Sequence, residues 1–305
     1  MLKTILVLIV TIVVLPIVAF KFDQSLTVEQ WHMLKTASFI MLGVALACFI
    51  TGELTGNSSQ VDKLWSIVPV VYAWYFAYAG AWNHRLILMA LVVTVWGIRL
   101  TYNFSRRGAY SWKFWTGEED YRWAIVRQTP LLQGRIRWML FDLFFICLYQ
   151  NTLLLMITLP MVVSWQGKDK PLGVSDATIA LLFIGFVVIE TIADQQQWNF
   201  QNKKHGILKT GEQLNAEQAN GFISSGLWAF VRHPNYAGEQ AIWISFYLFS
   251  ATCTGRPINW SMAGCLLLMV LFQSSSDFSE GISSKKYAAY AEYKKRVGRF
   301  IPKFW

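Results

Sequence analysis

The sequence predicts an all-α, polytopic integral membrane bundle of seven to eight transmembrane segments, and three observations carry that prediction. Apolar side chains make up 54% of the 305 residues and charged ones 15%, against about 25% charged in an ordinary soluble domain. The apolar residues are gathered into successive runs, most of them near the ~20 residues that a helix needs to cross a bilayer. Lys and Arg fall between those runs, so the formal net charge of +9 is the positive-inside bias of a membrane protein and does not point to nucleic acid.

The first run, Thr4 to Phe20, follows a single Lys3 and lacks a small-x-small cleavage pattern, so it is expected to be retained as a helix. Trp31 to Thr51 is the second, and Gly52 to Ser59, rich in Gly, Ser, Thr and Asn, is the loop after it. Residues 1–60 are therefore expected to form an N-terminal helix pair ahead of a main membrane domain at 61–305. Leu64 to Trp82 and Leu86 to Tyr102 are parted only by Asn83, His84 and Arg85, which predicts a tight helical hairpin.

From Arg99 to Arg137 the chain is polar and strongly basic, and this loop is expected on the cytoplasmic side. Trp138 to Val163 and Ala177 to Trp198 are the fifth and sixth spans, joined by the nearly neutral outer loop Ser164 to Asp176. Gln201 to Ser225, with Lys203, Lys204 and Lys209, returns to the cytoplasm. Tyr236 to Cys253 and Trp260 to Gln273 are two further runs around Gly255-Arg256-Pro257, short enough to be tilted or re-entrant. The basic tail Lys285 to Trp305 then leaves both termini cytoplasmic, in a bacterial inner membrane or the endoplasmic reticulum.

Cys48, Cys147, Cys253 and Cys265 lie in or beside apolar runs without CxxC spacing, which points to neither a zinc site nor a disulfide framework. His32, His84, His205 and His233 are too scattered for a histidine-box metal centre, and HExxH, GxGxxG and the P-loop are absent. No metal is expected, and no obligate protein partner is evident.

Ionisable residues inside spans are costly and usually face a cavity or a partner. Glu190, Asp194, Gln197 and Gln201 recur at 4, 3, 4 spacing and share one face of the sixth span, descending from the cytoplasm. In the fourth span Trp96, Arg99, Asn103 and Arg106 recur at 3, 4, 3; snorkelling is a rival account of Arg106 and Arg107. Gln150 and Asn151 in the fifth span are also explained by interhelical hydrogen bonds, and Asp62 by capping a helix start. The densest cluster is Gly226 to Glu239. There Pro234 opens a helix, Asn235 and Glu239 share a face at i and i+4, and Arg232, His233 and Tyr236 lie alongside.

Gly226-Leu227-Trp228, then Arg232-His233-Pro234-Asn235-Tyr236-x-Gly238-Glu239, then Tyr293 through Phe300-Ile301-Pro302 resemble the C-terminal domain of the steroid 5-alpha-reductase family, and most closely its uncharacterised membrane branch. The resemblance spans about Asp62 to Trp305 and includes Tyr102 to Gly108 and the Glu190/Asp194 pair. It implies an NADPH-dependent oxidoreductase that reduces a conjugated carbon–carbon double bond of a steroid, sterol or other isoprenoid lipid, held among membrane lipids. On that resemblance Asp194, Asn235 and Glu239 are nicotinamide or ribose contacts, and Arg106, Arg107, Arg232 and Lys286 line the phosphate side. Arg99, Asn103, Glu190, Gln197, His233 and Tyr236 complete the expected cofactor pocket.

The chain departs from the reductases where they bind the substrate ketone. Asp62 with Lys63 replaces a Gln-Glu pair, and no Tyr occupies the expected slot around Trp96 to Tyr102. Asp62, Tyr102 and Tyr236 are the candidate catalytic proton donors. Arg-His-Pro-x-Tyr is shared with isoprenylcysteine carboxyl methyltransferases. A lipid methyltransferase using S-adenosylmethionine, and a non-enzymatic lipid binder, are therefore the alternatives.

Overall fold

The computed structural model describes residue 10 and residues 14–113, 115–210 and 213–303. Most of the expected first span, Thr4 to Phe20, lies outside the described residues; helix α1, Leu15–Phe22, covers its end. The further helices are α2 Val28–Thr55, α3 Gln60–Leu64, α4 Val68–Ala79, α5 His84–Ser105, α6 Tyr121–Arg127 and α7 Arg135–Phe141. A π-helical segment, Asp142–Tyr149, leads into α8 Gln150–Met156 and α9 Pro160–Ser164. Then follow α10 Val174–Thr210, α11 Ala216–Asn220, α12 Pro234–Thr254, α13 Met262–Lys286 and α14 Tyr290–Arg296.

Five stretches among the described residues are helical, long and apolar enough to cross a membrane: Val28–Thr55, His84–Ser105, Arg135–Gly167, Val174–Gly206 and Met262–Lys286. The expected third span, Leu64 to Trp82, is helical past Leu64 only over the 12 residues of α4, with turns on either side. Pro69 falls in the first turn of α4, where its missing N–H costs no helical bond, so it marks where the helix starts. The last span also differs. It was expected to end at Gln273 but continues to Lys286, giving 25 residues and about 38 Å of helix.

Local chemistry sets the boundaries. Thr27 and Gln30 form a capping box at the start of α2, and Gly56, at φ 67°, ends it. The hairpin expected at Asn83–Arg85 is present: Asn83 Oδ1 accepts the Arg85 N–H at 3.0 Å, and the turn holds Ala81 and Trp82 at φ 53° and 56°. Asp62, expected as a possible cap, makes no capping bond and lies inside α3.

The chain forms two compact units, one of residues up to Ala180 with Phe246–Leu267, the other of Leu181–Ser245 with residues from Leu268 onward. In the first unit the loops gather at opposite helix ends, as alternating spans require. At one end Asn57 Nδ2 donates to Gly117 O at 3.1 Å, Gln60 Nε2 to Trp115 O at 3.1 Å, and Arg127 pairs with Glu119 at 2.7 Å. At the other, Arg85 pairs with Asp176 at 2.7 Å while donating to Gly167 O and Pro171 O. Both of those side chains are 4% exposed, so the pair is fully committed inside the protein.

In the second unit α10, α12 and α13 carry the described site residues, and the tail folds back onto the start of α12. Val231 and Gly298 form a parallel bridge, with Arg232 N donating to Gly298 O at 2.8 Å and His233 N to Arg299 O at 3.1 Å.

Candidate functional site

The second unit brings together the acids and the amide that the sequence placed on two helix faces. Pro234 is the first residue of α12, where its missing N–H costs no helical bond. One turn of helix then sets Asn235 and Glu239 against α10. Asn235 Nδ2 donates to Asp194 Oδ1 at 3.1 Å. Asp194, Glu190 and Glu239 are all buried, and Trp243 Nε1 donates to Glu239 Oε1 at 2.9 Å. Gly238 permits the close approach, because a Cβ there would stand 3.0 Å from Glu190 Cβ. Gln197 Oε1, on the same stripe of α10, is buried without a hydrogen-bond partner among the described residues. The result is a set of buried acceptors beside one amide.

The rest of the motif does different work. Arg232 Nε and Nη2 donate to the two Glu280 oxygens at 2.8 and 3.3 Å, and Nη1 donates to Lys294 O at 3.2 Å and to Val297 O. Glu280 is 1% exposed and also meets His233 Nε2 at 3.0 Å and Lys294 Nζ at 3.1 Å. The fork that suits a phosphate on sequence grounds is thus engaged by a buried carboxylate and the tail backbone. His233 stacks on Tyr236, ring centroids 5.3 Å apart, and Tyr236 also meets Phe272 at 4.8 Å. Gly226, at φ 60°, and Leu227 sit over the Gln196 side chain, whose Oε1 accepts the Leu227 N–H at 3.0 Å. Lys286 is exposed at the end of α13, its ammonium 5.4 Å from the Tyr287 ring centroid.

The remaining expected site residues belong to the first unit. Arg99 is half-buried and Asn103 buried; Arg106 Nε and Nη2 donate to Asn103 Oδ1 at 3.0 and 2.6 Å, and Arg107 is exposed. Tyr102 is 65% exposed on the outer face of α5, with Arg106 over its ring. Asp62 accepts from Trp123 Nε1 at 3.1 Å. Burial pushes its carboxyl above the ordinary carboxylate range, a shift that the nearby Arg122 charge opposes. Lys63 is fully buried, with Nζ donating to Thr116 O at 2.9 Å, and burial lowers its ammonium below the usual lysine range.

Sequence reasoning missed Glu280, which lies in the Ser-rich stretch between the expected end of the last span at Gln273 and the tail from Lys285, a stretch given no role from the sequence. The available signal was a surplus of cations, Arg232, Lys294 and Arg299, with no acid assigned to them.

Comparison with known proteins gives the family and a weaker functional pointer. The profile of the family described as Protein of unknown function (DUF1295) matches residues 48–297, and this family is steroid 5-alpha-reductase-like. The chain is 35% identical over 284 residues to an uncharacterized protein of Schizosaccharomyces pombe, covering 85% of this chain and 78% of that one. It is 25% identical over 161 residues to a Delta(14)-sterol reductase of Methylotuvimicrobium alcaliphilum, covering 49% of this chain and 36% of the reductase. It is 28% identical over 146 residues to a probable 7-dehydrocholesterol reductase of Acanthamoeba polyphaga mimivirus, covering 44% and 31%. The chain therefore spans about a third of each sterol reductase. No solved structure matches it.

Proposed function

The chain belongs to the DUF1295 family, and from that premise we propose that it is a membrane reductase that uses NADPH to saturate a conjugated double bond of a sterol or other isoprenoid lipid. The observation that carries the reading is the buried Asp194–Asn235 pair between Glu190 and Glu239. The partial similarity to two sterol reductases supports it.

The donor set fits a nicotinamide nucleotide. Carboxylates and the unpartnered Gln197 Oε1 are acceptors for a carboxamide NH2 and ribose hydroxyls, and Asn235 can both donate and accept. Lys286 offers an exposed ammonium to the phosphates. Bound NADPH supplies a hydride to the β carbon of the conjugated system. The chain must then deliver a proton to the α carbon, so that two hydrogens add and the double bond becomes single. Tyr236 is the donor we assign, because it adjoins Asn235 in sequence and is stacked on His233. The stacking fixes the phenol's orientation.

Thermal stabilisation of the detergent-purified protein by NADPH, NADH or S-adenosylmethionine tests the reading. NADPH is expected to raise the melting temperature, and Asp194→Asn to weaken that effect; ligand at 100 times its Kd stabilises by about 2.7 kcal/mol. A shift with S-adenosylmethionine and none with NADPH would replace the reductase with a methyltransferase. Stabilisation by neither nucleotide cofactor would leave a lipid binder.

A further inference from the structure

The fifth span carries a second buried polar group, distinct from the acids of α10 and α12. Asp142, Cys147 and Asn151 are 1%, 2% and 0% exposed. In an α-helix, nine residues at about 100° each would set Asn151 on the face opposite Asp142. The chain between them is π-helical, Asp142–Tyr149. Its i→i+5 winding, at about 80° per residue, returns Asn151 to within roughly 40° of Asp142. The π segment thus sets Asp142 and Asn151 on one inward face, with the small core residue Cys147 between them.

Neighbouring helices extend that face into a file. Asp142 lies over Gly52 of α2, where a Cβ would be 3.5 Å from Asp142 Oδ2 and 4.0 Å from the Cα of Ser58 in the following loop, so the two residues meet at the same point. Deeper in, Asn151 Nδ2 donates to Cys147 O at 2.7 Å and its side chain meets Cys48 of α2. Tyr72 of α4, fully buried, lies close to Cys48. Three oxygens along this path, Asp142 Oδ1, Asn151 Oδ1 and Tyr72 Oη, have no hydrogen-bond partner among the described residues. Orphaned buried oxygens are costly, and they recur only where something satisfies them. Two of these three are acceptors and the third is a hydroxyl that both donates and accepts. That combination suits water, which needs two to four polar partners.

We propose that the file Ser58–Asp142–Asn151–Tyr72 holds internal water and conducts protons from the loop end of the first unit into its core, with Asp142 as the group that takes up and releases the proton. The charged groups around Asp142 are Glu53 of α2, Glu119 of the loop before α6, and Arg127 at the end of α6. Cys147 adjoins it on its own helix. The file stands apart from the reductase reading, whose assigned proton donor, Tyr236, belongs to the second unit.

Infrared spectroscopy of the full chain in lipid nanodiscs provides the test. The wild type is expected to show a protonated-carboxyl C=O band that shifts in D2O, disappears in Asp142→Asn and changes frequency in both Tyr72→Phe and Asn151→Leu. If Asp142→Asn does not fold, Asp142→Glu, which should move the band without removing it, makes the assignment. A wild type without such a band, a band that ignores D2O, or one that either distal substitution leaves in place overturns the proposal. The readout does not use turnover. A chain that reduces nothing yet shows the coupled band loses the reductase reading and keeps the file.

Discussion

Replacing Arg232 by alanine separates the two roles that this residue could play. As a phosphate ligand it would be dispensable for folding, and its loss would weaken only cofactor binding. The structure instead surrounds it with Glu280 and two tail carbonyls, at side-chain exposures of 7% for Arg232 and 1% for Glu280. Removing one partner of a buried pair costs about 3–5 kcal/mol, chiefly because the other charge is left uncompensated. His233 and Lys294 still face Glu280, which places the expectation at the lower end, about 3 kcal/mol. At an unfolding entropy of about 2.1 cal/mol/K per residue, a chain of 305 residues shifts by roughly 1.6 °C per kcal/mol, so that is a drop of about 5 °C. The assay is melting of purified protein at one scan rate, with limited proteolysis of the C-terminal segment alongside. Arg232→Ala should melt early and release the tail from Gly298 onward. In a double-mutant cycle with Glu280→Gln, the pair should cost less than the two single changes together. An unchanged melting temperature combined with lost NADPH stabilisation would refute the reasoning and return Arg232 to the phosphate side.

Further outcomes follow from the same geometry. Asp62 is held above its ordinary range by burial, so the folded state favours its protonated form. Its contribution is therefore favourable below the unfolded carboxylate range and is lost as pH rises through the raised folded value. Asp62→Asn should accordingly stabilise the protein at neutral pH, with the gain shrinking in acid, as read from melting temperature against pH. Gly238→Val places methyl groups against Glu190, already 3.0 Å from the nearest possible Cβ; it should cost about 1–3 kcal/mol and weaken NADPH stabilisation by parting α12 from α10. Arg85→Met strands Asp176 in a site where both side chains are 4% exposed. Thermal melting should show a loss of about 3–5 kcal/mol, and adding Asp176→Leu should recover part of it.

The sequence by itself determined that this is a helical membrane protein, because spanning length, apolar composition and the placement of Lys and Arg are one-dimensional properties. It also determined that Asn235 and Glu239, and Glu190 and Asp194, share helix faces, since helical spacing alone fixes that. Tertiary structure decided what those side chains meet. Arg232 shows why: a guanidinium fork accepts phosphate and carboxylate alike, and only the fold of α13 brings Glu280, 48 residues away, to within 2.8 Å. The short helix of the third span and the π winding of the fifth were likewise invisible to a search for apolar runs. Hydropathy is nearly blind to whether a helix winds at i→i+4 or i→i+5, yet that choice sets whether Asp142 and Asn151 face each other's neighbours or opposite sides of the span.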